Sequence, residues 1–163
     1  MPKIDPASVP VVRGSKYPPP FDEPCRAREN RQLGVAAGLT QVGVNLTRLP
    51  PGTWSSQRHW HAREDELVYV LEGEVTLVDD SGEHVLGAGD AAGFKAGERN
   101  GHHLQNRSQR DAVLLTVGTR DDADSGEYPD VDMKFLPWRY SGGGGYTCKD
   151  GRKGYTCKDG RKY

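Results

Sequence analysis

No apolar run in this chain approaches the roughly 20 residues a helix needs to cross a bilayer. The opening stretch, Met1-Pro2-Lys3-Ile4-Asp5-Pro6, lacks the hydrophobic core of a secretory signal. Charge of either sign is not in excess. A net charge of −1 and a pI near 6.5 leave no basic footprint for nucleic acid or an acidic membrane. The first forty residues show no helix-turn-helix pattern, and no helix of convincing period precedes Asp121. Cysteine is scarce: Cys25, Cys148 and Cys157 are an odd number and make no disulfide framework. These absences predict a soluble cytoplasmic protein with reduced thiols, whose partner is a small molecule rather than nucleic acid or membrane.

Glycine and proline, by contrast, are abundant: 21 and 11 of 163 residues, about a fifth of the chain, against a usual share of about 12%. Many of them punctuate short apolar stretches. Leu39–Leu49 alternates and ends at Pro50-Pro51-Gly52; Glu66–Leu71 and Glu74–Val78 flank a tight Glu72-Gly73 connection; Ala112–Thr119 is the last clear strand. Regularly spaced short strands of this kind predict an all-β sandwich or barrel, and the length fits one domain.

Within those strands lies a cluster of metal-ligating residue types. His59 and His61 are separated by one residue, so in a strand both imidazoles face one way. Glu66 follows shortly after, and His102 comes from a distant segment with Asn106 four residues beyond it. Three nitrogens and one carboxylate oxygen suit a divalent transition metal such as Fe, Mn, Ni or Zn. If six-coordinate, such an ion keeps positions open for water, oxygen or substrate. His103, adjacent to His102, would face the other way in a strand, and the spacing to Asn106 selects His102. His84, after the Asp79-Asp80-Ser81-Gly82 turn, reads as a solvated strand residue, and Glu64 and Asp65 as a solvated turn.

Gly52, His59-Trp60-His61, Glu66 and Gly73, followed by Gly89-Asp90, Phe94-Lys95-Ala96-Gly97, His102 and Asn106, resemble the two-part motif of the cupin superfamily. The likeness spans Gly52 to Asn106 and, with flanking strands, about Leu39–Val117. The chain departs from that pattern in three places. One extra residue separates Gly52 from His59, Lys95 replaces a customary proline, and the stretch from Gly97 to His102 is longer. The resemblance implies a single jelly-roll β-barrel with His59, His61, Glu66 and His102 as metal ligands. It also implies a homodimer, to which a proline-rich arm and Trp138 would contribute.

The chain then divides into an N-terminal arm (1–38), a barrel (39–120), an extension packed on the barrel's outside or on a second subunit (121–140), and a Gly-rich flexible tail (141–163). Tyr17 and Phe21 would anchor the arm if it is laid down rather than loose. The tail repeats Gly-Tyr-Thr-Cys-Lys-Asp-Gly-Arg-Lys from Gly145 and from Gly154, each copy with a Lys-Asp-Gly turn that could tip a hairpin. Gln57 and, more distantly, Ser55 share the face of His59, whereas Arg58 and Trp60 face away. On the first strand either the Gln41, Asn45, Thr47 face or the Val42, Val44, Leu46 face lines the interior; Asn45 and Gln57 are the candidate substrate contacts. Tyr69 falls on the face opposite Glu66, and Asn106 holds a turn or orients the site. Three functions follow: a metalloenzyme (dioxygenase, isomerase, lyase or decarboxylase) acting on a small polar organic molecule, a non-catalytic module binding a sugar or organic acid, or a barrel that metal merely closes. No side chain presents itself as a general base.

Overall fold

The computed structural model describes residues 3–142 and 144–149. It is nearly all strand: β1 (Val11–Arg13), β2 (Glu29–Gln32), β3 (Val42–Leu49), β4 (Glu66–Glu72), β5 (Glu74–Asp79), β6 (Gly82–Gly87), β7 (Ala91–Phe94), β8 (His103–Gln105), β9 (Ala112–Thr119), β10 (Gly126–Tyr128), β11 (Met133–Phe135) and β12 (Tyr146–Thr147). A one-turn helix, α1 (Leu33–Ala36), interrupts them. A single turn of Leu-Gly-Val-Ala is too short to carry a 3.6-residue period, so it agrees with the expectation of no helix of convincing period before Asp121. Among the described residues no helix is long and apolar enough to cross a membrane.

Two antiparallel sheets form the jelly-roll, one ordered β1-β2-β3-β9-β4-β7 and the other β6-β5-β8. Bridges between Trp54 and Gln105 and between His59 and His102 extend the smaller sheet through the irregular segment before β4. Alternation explains the packing. Val68 and Val70 of β4, Leu114 of β9 and Leu49 of β3 point inward and meet Val75 of β5 and Leu104 of β8 in one apolar core. Full burial of each such side chain is worth about 1.5–3 kcal/mol. Gly73 turns the chain from β4 into β5 at φ +77°, where a Cβ would lie 2.5 Å from the Asp111 carbonyl oxygen, so only glycine fits.

The apolar core fills one end of the barrel and the other end stays polar. There a third sheet, β10-β11-β12, lies alongside. Its Tyr128, Met133 and Phe135 gather Tyr17 and Phe21 from the N-terminal segment and Tyr146 from β12 into a second cluster. The residues before 38 are therefore partly sheet, with β2 paired to β3. The first nonapeptide copy contributes β12 and a buried Cys148. Asp150 and Gly151 of its Lys-Asp-Gly turn, the second copy and Cys157 lie outside the described residues.

Candidate metal centre

His59 and His102 are direct cross-strand partners, with His59 N donating to His102 O at 3.1 Å and His102 N to His59 O at 2.9 Å. This pairing brings a histidine from the first motif against one 43 residues later, their rings 5.0 Å apart. Glu66 enters from the start of β4, on the inward track shared with Val68 and Val70. His59, His61 and Glu66 each offer a ligand atom within 4.8 Å of the others.

Hydrogen bonding decides which imidazole nitrogens are free. His59 Nδ1 lies 2.9 Å from the Gln57 carbonyl oxygen, and His61 Nδ1 lies 2.7 Å from Asp124 Oδ2. Both acceptors require a proton on Nδ1, which leaves a lone pair on each Nε2. Those two Nε2 atoms face one another at 3.2 Å. Two lone pairs make no hydrogen bond, but 3.2 Å is the separation of two nitrogens each about 2.1 Å from one ion. His102 repeats the arrangement: Nδ1 approaches the Asn100 carbonyl oxygen at 3.3 Å, and its buried Nε2 has no partner among the described residues. Phe94 stacks on the His102 ring at 3.5 Å and fixes its plane. The donor set therefore fits a divalent cation.

Burial, reinforced by neighbouring imidazoles, holds His59 well below the usual histidine range, and burial brings His102 down to about 4. Both rings stay neutral near pH 7, the form that ligates metal. Burial raises Glu66, against the attraction of His61.

Behind His61 lies a carboxylate layer absent from the sequence reading. Asp124 is fully buried; its Oδ1 accepts from Arg63 N at 2.8 Å, and its Oδ2 accepts from Arg139 Nη2 at 2.9 Å as well as from His61. Burial would raise Asp124, but the hydrogen bonds from His61 and Arg63 N and the charge of Arg139 outweigh it and hold the carboxyl low. Glu64 corrects the expectation of a solvated turn: it is 6% exposed and accepts from Arg139 at 2.7 Å and from the Tyr140 hydroxyl at 3.0 Å. Two partners some 75 residues downstream desolvate it, and nothing local announces them. Asp65 is exposed, accepting from Ala96 N.

A polar cavity of about 330 Å³ opens over His59, His61 and Glu66. Asn45 and Thr47 line it, which settles the inward face of β3, together with Ser55, Ser56, Thr116, Tyr17, Tyr128 and Tyr146. Gln57 does not: its amide donates to the Phe21 carbonyl oxygen at 2.7 Å. The segment from Thr53 to His61 bridges only at Trp54 and His59, so alternation does not carry back from His59. Neighbouring Ser55 and Ser56 both reach the cavity. His103 has both nitrogens engaged, with Ser56 O at 3.0 Å and the Gln105 amide at 2.9 Å. His84 sits half-exposed beside Asp79 and Ser81, and Tyr69 lies on the outer face. Asn106 is fully buried and donates to Leu49 O and Arg110 O, both at 2.7 Å, so it holds a turn. The segment 121–140, expected on the barrel's outside, supplies Asp124, Tyr128, Phe135 and Arg139 to the site itself. Its acidic and aromatic residues follow no motif spacing; the only hint was their density.

A jelly-roll enclosing convergent imidazoles and a carboxylate defines a class of metal-ready β-barrels. The cupin domain family matches residues 45–118. A sugar phosphate isomerase of the cupin superfamily from Silicibacter pomeroyi is 45% identical, over 92% of this chain and 94% of that one, with a TM-score of 0.87. The chain belongs to the cupin superfamily. A candidate sugar phosphate isomerase from Acidithiobacillus ferrooxidans is 30% identical over 78% of this chain and 80% of its own, with a TM-score of 0.70. A polyketide cyclase from Streptomyces resistomycificus, 20% identical over 74% and 80% of the two chains with a TM-score of 0.58, shares the fold alone. No curated protein matches the chain by sequence.

Proposed function

We propose that this protein is a metal-dependent isomerase of a small phosphorylated sugar, with the metal held by His59, His61, Glu66 and His102. The facing Nε2 atoms at 3.2 Å carry the metal assignment. The likeness to a sugar phosphate isomerase over nearly the whole chain supports the reaction class. A divalent ion bound there would polarise a carbonyl or hydroxyl oxygen.

The chain's own groups do the rest. Asn45, Thr47, Thr116, Ser55 and Ser56 present amides and hydroxyls along the cavity wall, a lining matched to a polyol. Tyr17 and Tyr128 hydrogen-bond one another beside His59, and burial holds both hydroxyls above the ordinary phenol range. One hydroxyl proton lies between the two rings, and the other remains to donate toward a substrate oxygen. The third sheet and the N-terminal segment wall this end of the cavity. We also propose a homodimer. Leu67, Tyr69 and Leu71 of β4, 46%, 39% and 41% exposed, continue in register into Val44 and Leu46 of β3 and Leu115 and Val117 of β9, an apolar outer face suited to a second copy.

The deciding experiment loads chelated protein with Mn, Ni, Zn or Fe and follows aldose–ketose phosphate interconversion by NMR in deuterated water. Turnover with deuterium uptake at the carbon beside the carbonyl, abolished in His59→Ala, is expected. Oxygen consumption, or no turnover with any metal across pentose and hexose phosphates, would sink the isomerase assignment.

A further inference from the structure

Three arginines line the cavity, and their hydrogen bonds distinguish them. Arg28 donates to the Gly14 carbonyl oxygen through Nε at 3.2 Å and Nη2 at 2.7 Å, and through Nη1 to Ser55 O. All of its faces are committed to backbone. Arg139 is neutralised by Glu64 and Asp124. Arg120 donates only Nη1, to Leu39 O at 2.9 Å, and no carboxylate pairs with it among the described residues. Its charge in the cavity wall is uncompensated.

Strand geometry aims that guanidinium at the site. Arg120 N donates to Gln41 O, so the β3–β9 ladder continues past Thr119. Arg120 therefore follows Leu114, Thr116 and Gly118 on the inward track. Gly43 and Gly118 are paired across the two strands. A Cβ on Gly43 would stand 3.6 Å from Arg120 Nε and 3.8 Å from Nη2, so the absence of a side chain there keeps that edge of the fork open. The Tyr140 ring lies against the guanidinium, 5.3 Å to its centroid, and restrains it. Glu66 is the register partner of Gly118 on the other side. Arg120 thus sits two residues along the strand from Gly118 and one strand over from Glu66, a step of about 7 Å along and about 5 Å across. That is comparable to the distance from the carbonyl end of a sugar phosphate to its phosphate.

We infer that Arg120 is the phosphate anchor of this cavity: its free Nε–Nη2 edge takes two phosphate oxygens and thereby sets the sugar's carbonyl end against the metal site. The inference rests on the sugar-phosphate reading and supplies that reading's specificity element.

Calorimetry on the full-length, metal-loaded protein tests it, with inorganic phosphate, ribose 5-phosphate and fructose 6-phosphate as probes beside ribose and fructose. The phosphorylated sugars are expected to bind more tightly than their parents. Arg120→Gln should weaken them by about ten- to a hundredfold without changing affinity for the parent sugars. Arg120→Lys keeps the charge but loses the fork, so it should fall between the two and guards against a folding artefact. A phosphate preference that survives in Arg120→Gln, or is absent from the parent protein, overturns the inference. Phosphate binding through Arg120 without turnover would preserve it while sinking the isomerase assignment. Turnover with KM unaltered in Arg120→Gln would do the reverse.

Discussion

At the scale of single residues, the centre depends on where three imidazoles place their protons. Gln57 O, Asp124 and Asn100 O each take the Nδ1 proton of one ring and leave the Nε2 lone pair for the proposed metal. Asp124 is the one side chain among these acceptors, so it is the most readily tested positioning residue. Asp124→Asn is expected to weaken metal binding by about 10–100-fold in a competition titration against a chromophoric chelator, with secondary structure intact by circular dichroism. Unchanged affinity would show that the contact is only structural. His102→Ala should likewise lower bound metal sharply, whereas His84→Ala should not; elemental analysis of purified variants distinguishes them. Loss of metal in His84→Ala alone would mean the ligand set is wrong.

At the scale of elements, the third sheet stands out, because β10 and β11 place Tyr128 and Phe135 in the cavity and follow directly from Asp124. Its seating depends on a close approach at Gly126, where a Cβ would land on the Trp60 carbonyl oxygen and on the Phe135 ring. Gly126→Ala should therefore push β10 off the barrel. The expected result is a loss of about 1–3 kcal/mol of stability in urea unfolding together with weaker metal binding, since Asp124 moves with the strand. Lost stability with unchanged metal affinity would show that the sheet is a cover without a part in the site.

At the scale of the whole molecule, burial of neutral histidines makes metal-free stability depend on pH. His59 and His102 titrate lower in the folded chain than the usual value near 6.5. The unfolded chain therefore takes up protons first as pH falls, and stability present above about 6.5 is lost toward about 4. For His102 the displacement corresponds to about 3 kcal/mol at most. Asp124, held low, acts in the same direction; Glu66, raised by burial, opposes it. The melting temperature of chelated protein should fall across that window, and a flat profile would contradict the buried, neutral assignment. The outer apolar face of β3, β9 and β4 predicts a dimer in light scattering at micromolar concentration. A monomer there would refute it.

How much of this was legible beforehand follows from the range of each interaction. The pairing of His59 with His61, the opposite facing of His102 and His103 and the turn-holding part of Asn106 are local properties. They depend on period-two alternation and on short spacings, which a chain carries wherever it folds. The same reasoning erred at Gln57, where the ladder is broken and alternation has no backbone to follow. Which face of β3 is inside was not legible, because alternation defines two faces and only closure of the sheets selects one. The solvation of Glu64 and the partnership of His61 with Asp124 were equally hidden. Each joins residues about 60 to 75 apart along the chain, and no local pattern encodes such a meeting. The sequence by itself determined the barrel and the residue types proposed as its metal ligands. The tertiary structure alone decided the residues that hold those imidazoles in one protonation state and the guanidinium left without a carboxylate partner among the described residues, because both depend on charges brought together only when the sheets close.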